Sequence, residues 1–120
     1  MMKKTLLLTA GLAAFVAGPA LATTIGVSIA NFDDNGLTIM RNGMTTHLES
    51  LDGVELQMED AQEDVARQLD QINNFIASGV DAIIVNAVDT DATEAMSNAA
   101  NSAGIPMVRK PSTWQHGNFA

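Results

Sequence analysis

Residues Gln71–Asn86 read Gln-Ile-Asn-Asn-Phe-Ile-Ala-Ser-Gly-Val-Asp-Ala-Ile-Ile-Val-Asn. The first half continues an apolar stripe, Val65, Leu69, Ile72 and Ile76, at the three- and four-residue steps of a helix face. Gly79 stands where a helix closes on a left-handed residue. Ala82-Ile-Ile-Val85 is then an unbroken apolar run, as in a strand covered on both faces. A helix that stops at glycine and passes at once into a buried strand is the αβ step of a parallel sheet.

The same step repeats on either side. Toward the N-terminus, Val54, Leu56 and Met58 alternate with Glu55 and Gln57, predicting a strand with one wetter face near a sheet edge. Before it, Leu37, Met40, Met44, Leu48 and Leu51 line one helix face, ended by Asp52-Gly53. Thr24-Ile-Gly-Val-Ser-Ile-Ala30 predicts the first strand, and Asn31-Phe-Asp-Asp-Asn-Gly36 is loop chemistry. Toward the C-terminus, Ala92, Ala95, Met96, Ala99 and Ala103 form a small-residue helix face, and Ile105-Pro-Met-Val108 predicts a fourth strand with Pro106 near its start. Asp60 with Glu63, and Asp91 with Glu94, have the spacing of helix caps.

The fold class is therefore α/β, a parallel sheet of about four strands with flanking helices joined by right-handed crossovers. The polar second strand and the apolar third predict the order 2-1-3-4. Residues 23–108 form this one unit. From Arg109 to Ala120 the periodicity fails, and this stretch reads as an irregular tail holding the single Trp and one of the two His. A doubly wound sheet usually has more strands, so four predict an unpaired edge.

The chain opens with Lys3-Lys4, an apolar stretch from Leu6 to Ala17, the breakers Gly18-Pro19 and then Ala20-Leu-Ala22. This is the pattern of a secretory signal peptide over residues 1–22, cleaved after Ala22, and the apolar stretch is short for a membrane span. Export from the cytoplasm is expected. Without cysteine there is no thiol chemistry and no lipid attachment after the cleavage site. The 14 acidic residues against 6 basic ones, a formal charge of -8, argue against nucleic acid and anionic membrane as partners.

In a parallel sheet, ligands bind beyond the carboxyl ends of the strands. Here those ends lead into Asn31, Asp33, Asp34 and Asn35, into Asp60 and Gln62, into Asn86 and Asp89, and into Arg109. Carboxylates, amides and a guanidinium can together replace the water around a hydroxyl-rich solute. Asp60 and Asp91 read first as caps, and Asp89 stays open between the two roles. Asp33, Asp34 and Asn86 read as site residues, because caps do not demand all three. His47 and His116 have no evident partner for a metal, and no metal or cofactor is expected. No glycine-rich nucleotide fingerprint, nucleophile elbow or Ser/His/acid set is present, so no catalytic residue is assigned and an enzyme is not expected.

Thr23-Thr-Ile-Gly-Val-Ser-Ile-Ala30, Arg41-Asn-Gly43, Gln71–Asn86, Asp89-Thr-Asp-Ala92 and Ala103-Gly-Ile-Pro106 together resemble the ribose-binding-type periplasmic proteins of sugar ABC importers. Phe32-Asp-Asp-Asn35, Leu51-Asp-Gly-Val54 and Glu59-Asp-Ala-Gln62 resemble the inositol or rhizopine branch. The resemblance covers about Thr23 to Val108 and implies part of the N-terminal lobe of a type I binding protein. It implies capture of a sugar or cyclitol by closure of two lobes, without chemistry, and docking on permease subunits. By position it makes Asp34 and Asn86 ligand contacts, with Asp33, Asp89 and Arg109 beside them. Two departures stand out. Gly36 and Leu37 occupy positions where the family carries stacking aromatics, and Arg109 follows Met107-Val108 without the polar residue expected between. The family's chains are two to three times longer, predicting a truncated copy that binds weakly alone, or a non-functional remnant. A phospho-receiver domain shares the length, the acidic pair after the first strand and a late Lys110-Pro111, but needs an aspartate where Asn86 stands and does not carry an export signal. A sugar-sensing repressor would need a helix-turn-helix segment and a basic surface.

Overall fold

A computed structural model of the chain describes residues 21–110. Residues 1–20 and 111–120 lie outside the described residues, and with them most of the expected signal segment over residues 1–22 and of the expected tail over residues 109–120. Four strands and three helices alternate: β1 Thr23–Ile29, α1 Asn35–Glu49, β2 Val54–Asp60, α2 Val65–Ser78, β3 Ala82–Asn86, α3 Thr93–Ser102 and β4 Met107–Lys110. The sheet has the order β2-β1-β3-β4, and all three pairings are parallel. This is the arrangement that the wet alternation of β2 and the apolar run of β3 predict.

The register fixes which side chains share a face. Gly26 and Ser28 of β1 stand opposite Ile83 and Val85 of β3, and this side receives α2 and α3. Ile72, Phe75, Val80, Ile83, Val85, Ala87, Met96, Ala100 and Ile105 form the core there, with Met107 packed against it. Burying each large apolar side chain of this set contributes about 1.5–3 kcal/mol. Ile25, Val27 and Ile29 face the other side, beside Leu56 and Met58 of β2, where α1 lies. Thr45 Oγ1 donates to Met58 Sδ at 3.9 Å across that contact. No residue of α1 is fully buried; Leu37, Met40, Met44 and Leu48 are only half-buried, because the helix covers the β2 side of the sheet.

The helices differ from their sequence pattern in three informative ways. On α2 the buried residues are Gln68, Gln71, Ile72 and Phe75, whereas Val65, Leu69 and Ile76 are half-buried. The helix is turned toward its two glutamines, whose amides find partners on the strands. On α3 Met96 is buried as expected, but its buried companions are Thr93 and Ala100, and Ala95 and Ala103 of the expected face are exposed. The third difference lies in the caps. Asp64, not Asp60, caps α2 by accepting from the Arg67 N–H at 3.0 Å. Asp60 instead ends β2, and a turn with Gln62 and Glu63 at φ 51° and 57° delays the helix. Asp91 does not cap α3: its own N–H donates to Asp89 Oδ1 at 2.9 Å, a local turn that competes with helix entry.

The C-terminal end of α2 is as expected. Gly79 adopts φ 70°, ψ 39°, and its N–H donates to the carbonyls of Ile76 and Phe75, a left-handed closure that a residue without Cβ makes at least cost. β4 begins two residues later than the sequence pattern suggests and includes Arg109 and Lys110.

Candidate functional site

The register ends in a row. Ile29 pairs with Asp60 on one side and with Asn86 on the other, and Asn86 pairs with Lys110. Three polar residues from three strands therefore line the carboxyl edge of the sheet around a buried apolar one. Backbone pairing alone produces this alignment, so it depends on the register and not on loop conformation.

The loop after β1 is held against both neighbouring strand ends. The Ala30 N–H donates to Asn86 Oδ1 at 3.4 Å. The Phe32 N–H donates to Asp60 Oδ1 at 3.3 Å, and the Gln62 N–H donates to the same oxygen at 2.9 Å. Two further links join the loops after β1 and β2: the Glu63 N–H donates to the Ala30 carbonyl at 2.7 Å, and Asn31 Nδ2 donates to Glu63 Oε1 at 3.3 Å. The left-handed pair Gln62–Glu63 is what turns that N–H toward Ala30. Phe32 is half-buried, with the Arg41 guanidinium 4.0 Å from its ring centroid, a cation–π contact that ties the loop to α1.

The residues singled out from the sequence fall as follows. Asp34 is the N-cap of α1 and accepts from the Leu37 N–H at 2.9 Å, so the reading that set it apart from capping is corrected. The cap uses Oδ1 and holds the carboxylate at the mouth of the loop. Asp33 is exposed, and its N–H donates to Asn31 Oδ1 at 2.8 Å in a local turn. Asn86 is 8% exposed, at the end of β3. Asp89 is exposed on the loop after β3. Asp33, Asp34, Asn86 and Asp89 thus lie at the same end of the sheet. Arg109 pairs with Val85, so it belongs to the face that carries α3, and its Nη1 donates to Thr93 Oγ1 at 2.9 Å. The β4 residue in the row with Asn86 is Lys110. His47 is exposed in the last turn of α1, at the opposite end of the sheet.

Sequence reasoning missed the polar pair beneath the row. Gln68 and Gln71, with Ser28 of β1, form a buried network under the ends of β2 and β3. The available signal was two amides at i and i+3 inside the apolar stripe of α2, where unpaired polar groups are not tolerated. An open groove of about 160 Å³ lined by Gln57, Glu59, Gln71, Asn74, Phe75 and Ser78 runs between β2 and α2, beside the sheet. It contains none of the rim residues. Among the described residues, no group of three or more His, Cys, Asp or Glu could hold a metal ion.

Chemically, the rim offers carboxylate acceptors, an amide and the cationic Lys110, a set that exchanges hydrogen bonds with hydroxyls. Comparison with known proteins gives a consistent picture. Residues 25–109 match the model of the periplasmic binding protein domain. The chain is 59% identical over 96 residues to the "Putative rhizopine-binding protein" of Rhizobium meliloti, covering 80% of this chain and 31% of that one. It is 34% identical over 112 residues to the D-galactose/methyl-galactoside binding periplasmic protein of Haemophilus influenzae, covering 89% and 34%. Among solved structures, an ABC transporter solute binding protein from Bacillus halodurans with bound myo-inositol superposes with a TM-score of 0.72 at 41% identity, covering 77% of this chain and 32% of that one. The chain spans about a third of the length of these relatives. Their names are those of binding proteins, not enzymes.

Proposed function

The chain belongs to the periplasmic binding protein domain family, and from that premise we propose that it supplies one wall of a solute-binding site for a sugar or cyclitol ABC importer. The solute is a small polyhydroxylated molecule, captured in the periplasm and released unchanged. The observation that carries this reading is the Asp60–Ile29–Asn86–Lys110 row. Asp34 and Asn86 contact the solute hydroxyls, with Asp33 and Asp89 flanking them. Arg109 acts indirectly, by holding Thr93 and the start of α3. Residues 1–22 direct export and are removed after Ala22. The loaded protein hands its solute to membrane permease subunits. Among cyclitols and sugars, a myo-inositol-like ring is favoured, because relatives at 41% and 59% identity carry myo-inositol and the rhizopine-binding name respectively.

A wall that contacts a solute from one side recovers only part of the hydrogen bonds lost on dehydration. Titration calorimetry of the 120-residue chain should therefore give a dissociation constant on the order of millimolar for myo-inositol, about −4 kcal/mol. Weaker heat is expected for D-ribose. The absence of any heat for either solute at that concentration would overturn the reading.

A further inference from the structure

Two glutamines on α2 lie directly beneath the rim, and packing alone does not explain them. Gln68 is fully buried and Gln71 is 8% exposed. An amide at such a position costs free energy unless its polar atoms are paired, and a methionine or leucine would fill the same space without that cost. Here the amides are paired in a specific pattern. Gln68 Nε2 donates to the Asn86 carbonyl at 3.0 Å and to Ser28 Oγ at 3.1 Å, while its Oε1 accepts from the Val88 N–H at 2.9 Å. Gln71 Nε2 donates to the Asp60 carbonyl at 2.9 Å, while its Oε1 accepts from Ser28 Oγ at 2.7 Å. The fully buried Ser28 hydroxyl thus accepts from one glutamine and donates to the other.

Each glutamine grips the backbone of one residue in the polar row. The side chains of those residues in turn hold the loop after β1: Asn86 through the Ala30 N–H, and Asp60 through the Phe32 and Gln62 N–H groups. A binding group is useful only when it is held in place by such supporting bonds.

We infer that Gln68 and Gln71 are positioning residues of the rim, Gln68 for the Asn86 side and Gln71 for the Asp60 side, with Ser28 coupling the two. This rests on the reading of the rim as a solute site. Neither glutamine touches the solute.

Amide hydrogen exchange of the 120-residue chain, followed by NMR in the wild type, Gln68→Met and Gln71→Met, tests the inference. Methionine keeps the unbranched shape and removes the amide. Gln68→Met should speed exchange of the Ala30 amide, which it does not touch, by about tenfold, the loss of about one net hydrogen bond. Exchange at Phe32, Gln62 and Ile83 should change by less than about twofold. Gln71→Met should reverse the pattern, speeding Phe32 and Gln62 and sparing Ala30. If Gln68→Met does not fold, Ser28→Ala removes only the shared hydroxyl and should loosen both loops moderately. Uniform acceleration that includes Ile83, or no acceleration at either loop, marks the amides as core filler and overturns the inference. A calorimetric titration with myo-inositol separates this from the solute reading. Binding by the wild type that weakens about fivefold or more in each variant is expected, and equal binding by wild type and variants overturns the inference. No binding by the wild type, alongside the loop-specific exchange pattern, overturns the solute reading while the glutamines still position the loops.

Discussion

Phe75 lies flat against Gly26: a Cβ built on Gly26 would sit 2.6 Å from Phe75 Cγ and no more than 2.9 Å from either Cδ. This contact sets how closely α2 approaches β1, and so brings Gln68 and Gln71 within reach of Ser28. Gly26→Ala should therefore destabilise the fold by about 1–3 kcal/mol, the usual cost of overpacking a core. Urea denaturation measures it. Adding Phe75→Leu should recover part of the loss, because the two changes share one contact; strictly additive losses would contradict the packing described.

The α2 cap is a second point of decision. Asp64→Ala should cost about 1 kcal/mol and Asp64→Asn only a few tenths, since asparagine also caps. Thermal denaturation of both variants checks this. Equal losses would mean that the carboxylate charge, rather than the bond to the Arg67 N–H, does the capping.

Gln62 lies in the left-handed region at φ 51°, which strains an L side chain by about 1–2 kcal/mol. Glycine relieves that strain while increasing unfolded-state entropy. Gln62→Gly should thus raise stability by up to about 1 kcal/mol. A clear loss of stability would show that the Gln62 side chain makes a contact that compensates for its backbone.

Arg109 and Thr93 should be coupled. In a double-mutant cycle, Arg109→Met and Thr93→Val should show about 0.5–1.5 kcal/mol of interaction, the worth of a hydrogen bond to a charged donor that is partly solvated. Solute affinity should be unchanged in Arg109→Met, since the guanidinium is turned to the α3 face.

The strand order and the end of α2 were legible because they rest on signals without rivals. An apolar run after Gly79 fits an interior strand, and a strictly alternating β2 fits an edge. The caps were not, because Asp60–Glu63 and Asp91–Glu94 copy the spacing of a capping box while their backbones are committed to turns that only tertiary contacts select. The buried face of α2 was misread for a related reason. Hydrophobic periodicity cannot credit a glutamine with burial, and the partners that permit it, Ser28, Asp60 and Asn86, are distant in sequence. The gathering of Asp34 and Asn86 at one end of the sheet was readable from parallel topology alone. That Arg109 and Lys110 extend β4, and that Lys110 takes the place in the row, needed the register.

The central claim is that the carboxyl edge around Ile29 is where a polyhydroxylated solute is held. Chemical-shift mapping of the 120-residue chain during a myo-inositol titration tests it most directly. Shifts confined to residues 29–35, 60–63, 86–91 and 110, and lost in Asn86→Ala, are the predicted result. Shifts centred instead on the groove between Gln57 and Ser78, or none on the order of millimolar solute, would contradict it.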